Sequence, residues 1–183
     1  MPTLVCFGDS ITAKEKEMDG KLRLTSRIRE RMSDWTVINA GVAKATSRDG
    51  LARFQEDVLH HNPDLVTILF GRNDAYDFQH VALKEYKRNL TYMIQKMTPQ
   101  KTILISPLPM NGVSDEQIKR YADETKAIAS ETGCRFINLW AIGQRKPLLE
   151  KDGVTMNETG YQLLAEIIID QMKQLDMKKA TSS

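Results

Sequence analysis

The chain has 183 residues, 41% of them hydrophobic and 27% charged, a composition that fits one soluble domain able to bury about two thirds of its unfolded surface. Its formal charge of +2 comes from 26 basic and 24 acidic residues, interleaved along the chain, which excludes a strong global pull toward nucleic acid or an anionic membrane. No apolar run approaches the ~20 residues of a membrane-spanning helix, and two cysteines, Cys6 and Cys134, fit buried reduced thiols rather than a disulfide framework.

The first apolar run, residues 4–7, follows only two residues and no charged-then-apolar leader, so the expected location is the cytoplasm. It stops abruptly at Gly8, Asp9 and Ser10. The basic stretch 21–31, with Arg23, Arg27, Arg29 and Arg31, reads as a solvated helix face, because Glu30 interrupts it and no aromatic side chains are interleaved. Further strand-like runs fall at 35–39, 65–70, 102–105 and 135–139. Between them Leu51, Phe54 and Val58 share a helical face, as do Leu83, Tyr86, Leu90, Met93 and Met97, and then Ile118, Tyr121, Ala122 and Ile128. A last helix carries Tyr161, Leu164, Ala165, Ile168, Met172 and Leu175, and residues 178–183 read as a disordered polar tail beyond a single domain of residues 1–177.

Short buried strands alternating with helices predict an α/β fold: a three-layer, flavodoxin-like sandwich whose five-stranded parallel sheet has the order 2-1-3-4-5, with helices on both faces. In such sheets ligands bind beyond the carboxyl ends of the strands, near the switch point between strands 1 and 3. Polar and glycine-rich residues gather at those ends: Gly8, Asp9 and Ser10; then Asn39, Ala40 and Gly41; then Gly71, Arg72, Asn73 and Asp74.

Ser10, where a strand turns toward a helix, could cap that helix or project as a nucleophile. Acyl transfer also needs N–H donors aimed at a developing oxyanion; Gly41 permits close backbone approach and Asn73 offers a side-chain amide. Asp74 and Asp77 read as solvated loop carboxylates. Leu108, Met110 and Met156 are candidates for an apolar pocket wall. Neither a metal-ligand cluster nor a phosphate cradle is present in the sequence, so no cofactor and no metal is expected.

The segments FGDSIT, NAGVAKATS and FGRND resemble, in order and each after an expected strand, the first three sequence blocks of the SGNH, or GDSL, hydrolase family of esterases and acylhydrolases. The resemblance covers nearly the whole chain. It implies Ser10 as nucleophile and an oxyanion hole built from Ser10, Gly41 and Asn73. The family's fourth block carries Asp-x-x-His, the Asp orienting the His that takes the serine proton. Here it reads DGVTMNETGY: Asp152 matches, and Thr155 stands at the family's His position.

Threonine has no proton-accepting nitrogen and cannot serve as a general base near neutral pH. Removing such a base costs on the order of four to six decades in turnover, while the oxyanion hole and binding retain roughly 10³–10⁴ over water. The implied function is therefore a weakened serine ester hydrolase acting on a small carboxylic ester or acyl group. The alternative is a catalytically inactive binding module of the same fold, for an acyl or acetylated-sugar group. Substitutes for the base are His80, on the crevice side, and Asp152 acting through a water held by Thr155. His60 and His61 lie at the opposite end of the sheet and read as surface residues. A small-molecule substrate is expected, with no nucleic acid and no membrane insertion.

Overall fold

A computed structural model describes residues 1–182. In chain order the elements are β1 (Thr3–Gly8), α1 (Ser10–Ala13), α2 (Leu24–Arg31), β2 (Thr36–Gly41), α3 (Ser47–Asp57), β3 (Leu65–Leu69), α4 (Leu83–Met97), β4 (Thr102–Ile105), α5 (Asp115–Thr132), β5 (Arg135–Ile137), α6 (Leu139–Arg145) and α7 (Glu158–Ser182). The strands form one parallel sheet of order β2-β1-β3-β4-β5, the order read from the sequence. A two-residue side-chain period on strands buried on both faces divides the core. Val5, Phe7, Val66 and Ile68 pack with α3, α4 and α5, while Leu4, Cys6, Leu65 and Leu69 pack with α2 and α7. Both cysteines are free and buried, and among the described residues no helix is long and apolar enough to cross a membrane.

Three boundaries differ from the sequence reading. The run 135–139 leaves the sheet at Ile137, because Asn138 caps α6 by accepting the Ala141 N–H on Oδ1 (3.1 Å). The segment expected as a disordered tail continues α7 through Ser182, with Lys179 Nζ 3.1 Å from Asp64 Oδ1 and the Thr181 and Ser182 hydroxyls donating to carbonyls one turn back; residue 183 lies outside the described residues. The basic stretch is not wholly solvated either: Arg23 is buried and its Nε donates to Glu17 Oε1 at 2.6 Å.

The loops beyond the sheet's carboxyl edge are fastened to one another. Arg53, on α3, donates to the carbonyls of Ala40 (2.8 Å) and Gly8 (3.0 Å) and lies 4.4 Å from the centre of the Phe7 ring. Gly8 O also accepts the Val42 N–H (3.0 Å), so the end of β1 and the loop after β2 share one acceptor. Thr46 and Asp49 make a reciprocal capping box at the start of α3. Asp74, expected to be solvated, is fully buried; its carboxylate accepts from the Ser47 N–H (3.0 and 3.1 Å) and Ser47 Oγ (2.6 Å), joining the loop after β3 to that same helix start. Asp77 is exposed, as expected.

Two predictions follow from this packing. Burial pushes the Asp74 carboxyl up to about 7, against the Ser47 hydrogen bonds and with the help of nearby Asp9. The folded chain therefore holds this proton to higher pH than an unfolded aspartate at about 3.9. The stabilisation is complete below that value and is lost as pH rises through the folded value. Asp74→Asn should accordingly gain on the natural chain by on the order of 1–4 kcal/mol between pH 4 and 8; a pH-independent difference in urea-unfolding free energy contradicts this. In α7, truncation after Met177 should cost under about 1 kcal/mol, because the Lys179–Asp64 pair is exposed. Ile168→Ala, fully buried, should cost about 2–5 kcal/mol by the same measurement.

Candidate active site

The crevice forms where β1 ends. Asp9 caps α1, accepting the Ile11 N–H on Oδ1 (3.1 Å), and Ser10 is the first residue of that short helix, where backbone N–H groups lack intrahelical partners. Asp9 is buried, and burial pushes its carboxyl up to about 6 against the pull of Arg72. Ser10 is half-buried and opens on a cavity of about 270 Å³ that also presents Lys44, Arg72, Asn73 and Tyr76. Larger clefts exist elsewhere, about 330 Å³ beside Glu17 and Glu158 and about 400 Å³ along α4. Neither contains a side chain placed as a nucleophile, so position at the strand ends and chemistry, rather than size, select the site.

Gly41 does not face this cavity with its N–H. That N–H donates to Asn39 Oδ1 (2.9 Å), and the Asn39 amide in turn donates to Thr12 O (2.7 Å) and Thr25 Oγ1 (3.0 Å). Gly41 is needed for space: a Cβ there would lie 2.6 Å from Ala13 Cα and 2.7 Å from the Thr12 carbonyl carbon, and would meet Ala13 N as well. The amide that reaches the Ser10 hydroxyl belongs to Lys44, whose N–H donates to Ser10 Oγ at 2.8 Å. Lys44 has φ +63, a conformation that glycine adopts freely and other L residues rarely do. Sequence reasoning looked for a glycine, and the lysine concealed the position.

Asn73 is buried, with Nδ2 donating to Ala45 O (3.1 Å) and standing 3.4 Å from Asp9 Oδ2. Its amide and the Lys44 N–H thus come from the loops after β3 and β2, and Ser10 from the loop after β1. The fourth contribution comes from the loop before α7. Asp152 is exposed, and its carboxylate accepts the N–H groups of Val154 (2.9 Å) and Thr155 (2.8 Å) and the Thr155 hydroxyl (2.6 Å). These hydrogen bonds, the hydroxyl first, hold its carboxyl below the usual carboxylate range. Thr155, Met156 and Ser10 line a small cleft of about 50 Å³, enough for one or two waters. Arg72 fastens this loop: one of its terminal nitrogens donates to Val154 O (2.7 Å) and Pro109 O (2.8 Å).

Of the other candidates, Met110 lines the larger cavity, whereas Leu108 is buried in the core on the α7 side of the sheet and lines neither space, because its side chain fills the volume over Gly143. His80 is exposed, and its neighbour Gln79 is the residue that lines the cavity. His60 and His61 are exposed or half-exposed in a 3₁₀ turn before β3, at the far end of the sheet.

The same architecture recurs in known proteins. The sequence profile of the GDSL-like Lipase/Acylhydrolase family matches residues 6–163. An acetylxylan esterase of Geobacillus stearothermophilus is 34% identical over 156 residues, spanning 74% of this chain and 71% of its own length. Esterase TesA of Pseudomonas aeruginosa is 27% identical over 181 residues, spanning 94% and 89%. The crystal structure of a lipase/acylhydrolase from Enterococcus faecalis superposes with a TM-score of 0.86 at 28% identity, covering 95% of this chain and 96% of that one. With its fold, the three strand-end loops and the profile match in agreement, the chain belongs to the GDSL-like lipase/acylhydrolase family of hydrolases.

Proposed function

We propose that the protein is a single-domain, cytoplasmic serine ester hydrolase acting on a small carboxylic ester or acyl group, with turnover limited by the replacement of its base by Thr155. The observation that carries this reading is the hydrogen bond from Lys44 N–H to Ser10 Oγ (2.8 Å) in a cavity that also holds the Asn73 amide. Ser10 Oγ attacks the acyl carbon, and the N–H groups of Ser10 and Lys44 with Asn73 Nδ2 face the oxyanion. The alkoxide leaves with a proton, and water then releases the acyl group from Ser10. The serine proton passes to water in the cleft beside Thr155, with Asp152 as a weak acceptor behind it, since a carboxylate held below its usual range binds protons poorly at neutral pH. An acetyl group suits the small cleft and agrees with the name of the acetylxylan esterase relative.

One observation favours a second reading, a binding module without turnover: the Thr155 hydroxyl occupies the Asp152 oxygen that an imidazole would use (2.6 Å). The comparison of the natural chain with Ser10→Ala on a short chromogenic ester decides between the two. For a hydrolase, Ser10→Ala abolishes turnover, and Asn73→Ala lowers it by about 10²–10³. Equal rates in Ser10→Ala and the natural chain contradict the hydrolase reading. His80→Ala leaves the rate unchanged.

Thr155→His should raise kcat/KM by tens to thousands of fold and introduce a rise with pH centred near 6.5, the ordinary imidazole value. Adding Asp152→Ala to that variant should remove much of the gain. Full recovery is not expected, because imidazole exceeds the volume of the threonine side chain beside buried Met156, and overpacking costs about 1–3 kcal/mol. A well-folded Thr155→His no faster than the natural chain contradicts the assignment of position 155 as the base position.

A further inference from the structure

Lys44 serves Ser10 through its backbone alone, which leaves its side chain unexplained. Its N–H donates to Ser10 Oγ, and its carbonyl accepts from Gln79 Nε2 (2.8 Å); glycine would supply both groups at φ +63 without the strain that a side chain brings there. A non-glycine residue held in this conformation beside a reactive group is an outlier that calls for a functional reason. Lys44 is an exposed residue at the cavity that contains Ser10, and no carboxylate among the described residues lies within ion-pair distance of its ammonium.

The same cavity presents a second cation. Arg72 is 2% exposed and makes its hydrogen bonds to carbonyls rather than to a carboxylate, and its buried Nε has no partner among the described residues. Among the described residues the one acidic side chain on the cavity wall is Asp9, which is buried and whose charge offsets that of Arg72, leaving Lys44 as the cation without a counter-charge. Tyr76, Gln79, Met110, Asn111 and Val154 complete a wall that sets these charged groups beside apolar surface.

We propose that Lys44 is a specificity-determining residue that selects esters carrying an anionic group, a carboxylate in the simplest case, within reach of the cavity mouth. This deepens the hydrolase reading and rests on it for turnover, though not for binding. A cation at the rim attracts a substrate anion through high-dielectric surroundings, so the expected discrimination is moderate, about tenfold.

The test compares three acetyl or short-acyl esters, each corrected for its own rate without protein: 4-nitrophenyl acetate as the neutral probe, the mono-4-nitrophenyl ester of succinic acid with its anion on the acyl side, and 4-acetoxybenzoate with its anion on the alcohol side. Selectivity is the ratio of kcat/KM for each anionic ester to that for the neutral one, measured in the natural chain and in Thr155→His. In Lys44→Met the ratio should fall about tenfold for at least one anionic ester. Lys44→Arg should retain it and Lys44→Glu should invert it, and added salt should erode it wherever position 44 carries a cation but not in Lys44→Met. The ester that responds identifies the side on which the anion sits. A ratio unchanged in Lys44→Met overturns the proposal, as does an equal loss for anionic and neutral esters, which would place Lys44 in the chemical step instead. Calorimetric binding of the succinate monoester to Ser10→Ala, with and without Lys44→Met, needs no turnover. If no variant hydrolyses any ester, the hydrolase reading fails while this measurement still decides the inference: an affinity about tenfold weaker in the double variant supports it, and equal affinities overturn it.

Discussion

The crowding at the carboxyl end of β1 is the constraint on which the rest of the molecule depends. A Cβ on Gly8 would lie 2.6 Å from Thr12 Oγ1 and 2.7 Å from Leu69 O, and one on Gly41 would enter the backbone of residues 12 and 13. With both side chains absent, α1 can lie directly over the ends of the two strands and present Ser10 at the edge of the sheet. The helix is only four residues long and has little stability of its own. Its position is imposed by the Asp9 cap, by the Asn39 amide on Thr12 O, and by the two strands beneath it.

The loops that complete the site are held by polar side chains that act as fasteners rather than as chemical groups. Arg53 holds the ends of β1 and β2, Asp74 holds the loop after β3 to the start of α3, and Arg72 joins the loop after β4, at Pro109, to the loop before α7, at Val154. Each of the three is buried or half-buried and bonded to backbone, so each converts the positional precision of the sheet into precision at a loop. Oxyanion donors need this support, because they act through preorganisation and lose their value when they must move into place.

The fold was legible because its signals are redundant: five apolar runs, four amphipathic segments and strand-end glycines all point to one topology, and no single residue decides it. The placement of the candidate residues was legible where chemistry and position coincide in one side chain, as at Ser10, Asn73 and Asp152. It was not legible where the contact is made by a backbone N–H. Gly41 and Lys44 stand three residues apart in one loop, and only the path of the chain determines which N–H meets Ser10 and which is taken by Asn39. Burial of loop residues was also hidden: Asp74 and Leu108 stand in the loops after β3 and β4, yet both are buried, Leu108 in the core and Asp74 against the start of α3. Past Met177, α7 meets a partner more than 100 residues away, Asp64, through Lys179, which no local pattern reveals.

The loop before α7 has a consequence for how such a protein can change over generations. Of the three donors that hold Asp152, two are backbone N–H groups that any non-proline residue at positions 154 and 155 supplies, and the third is a hydroxyl small enough to sit within the loop. The local structure therefore survives whether position 155 carries an imidazole or not. Selection for folding alone therefore exerts little pressure on the side chain at position 155. On the role proposed for that position, one substitution changes turnover while the loop that carries it keeps its shape.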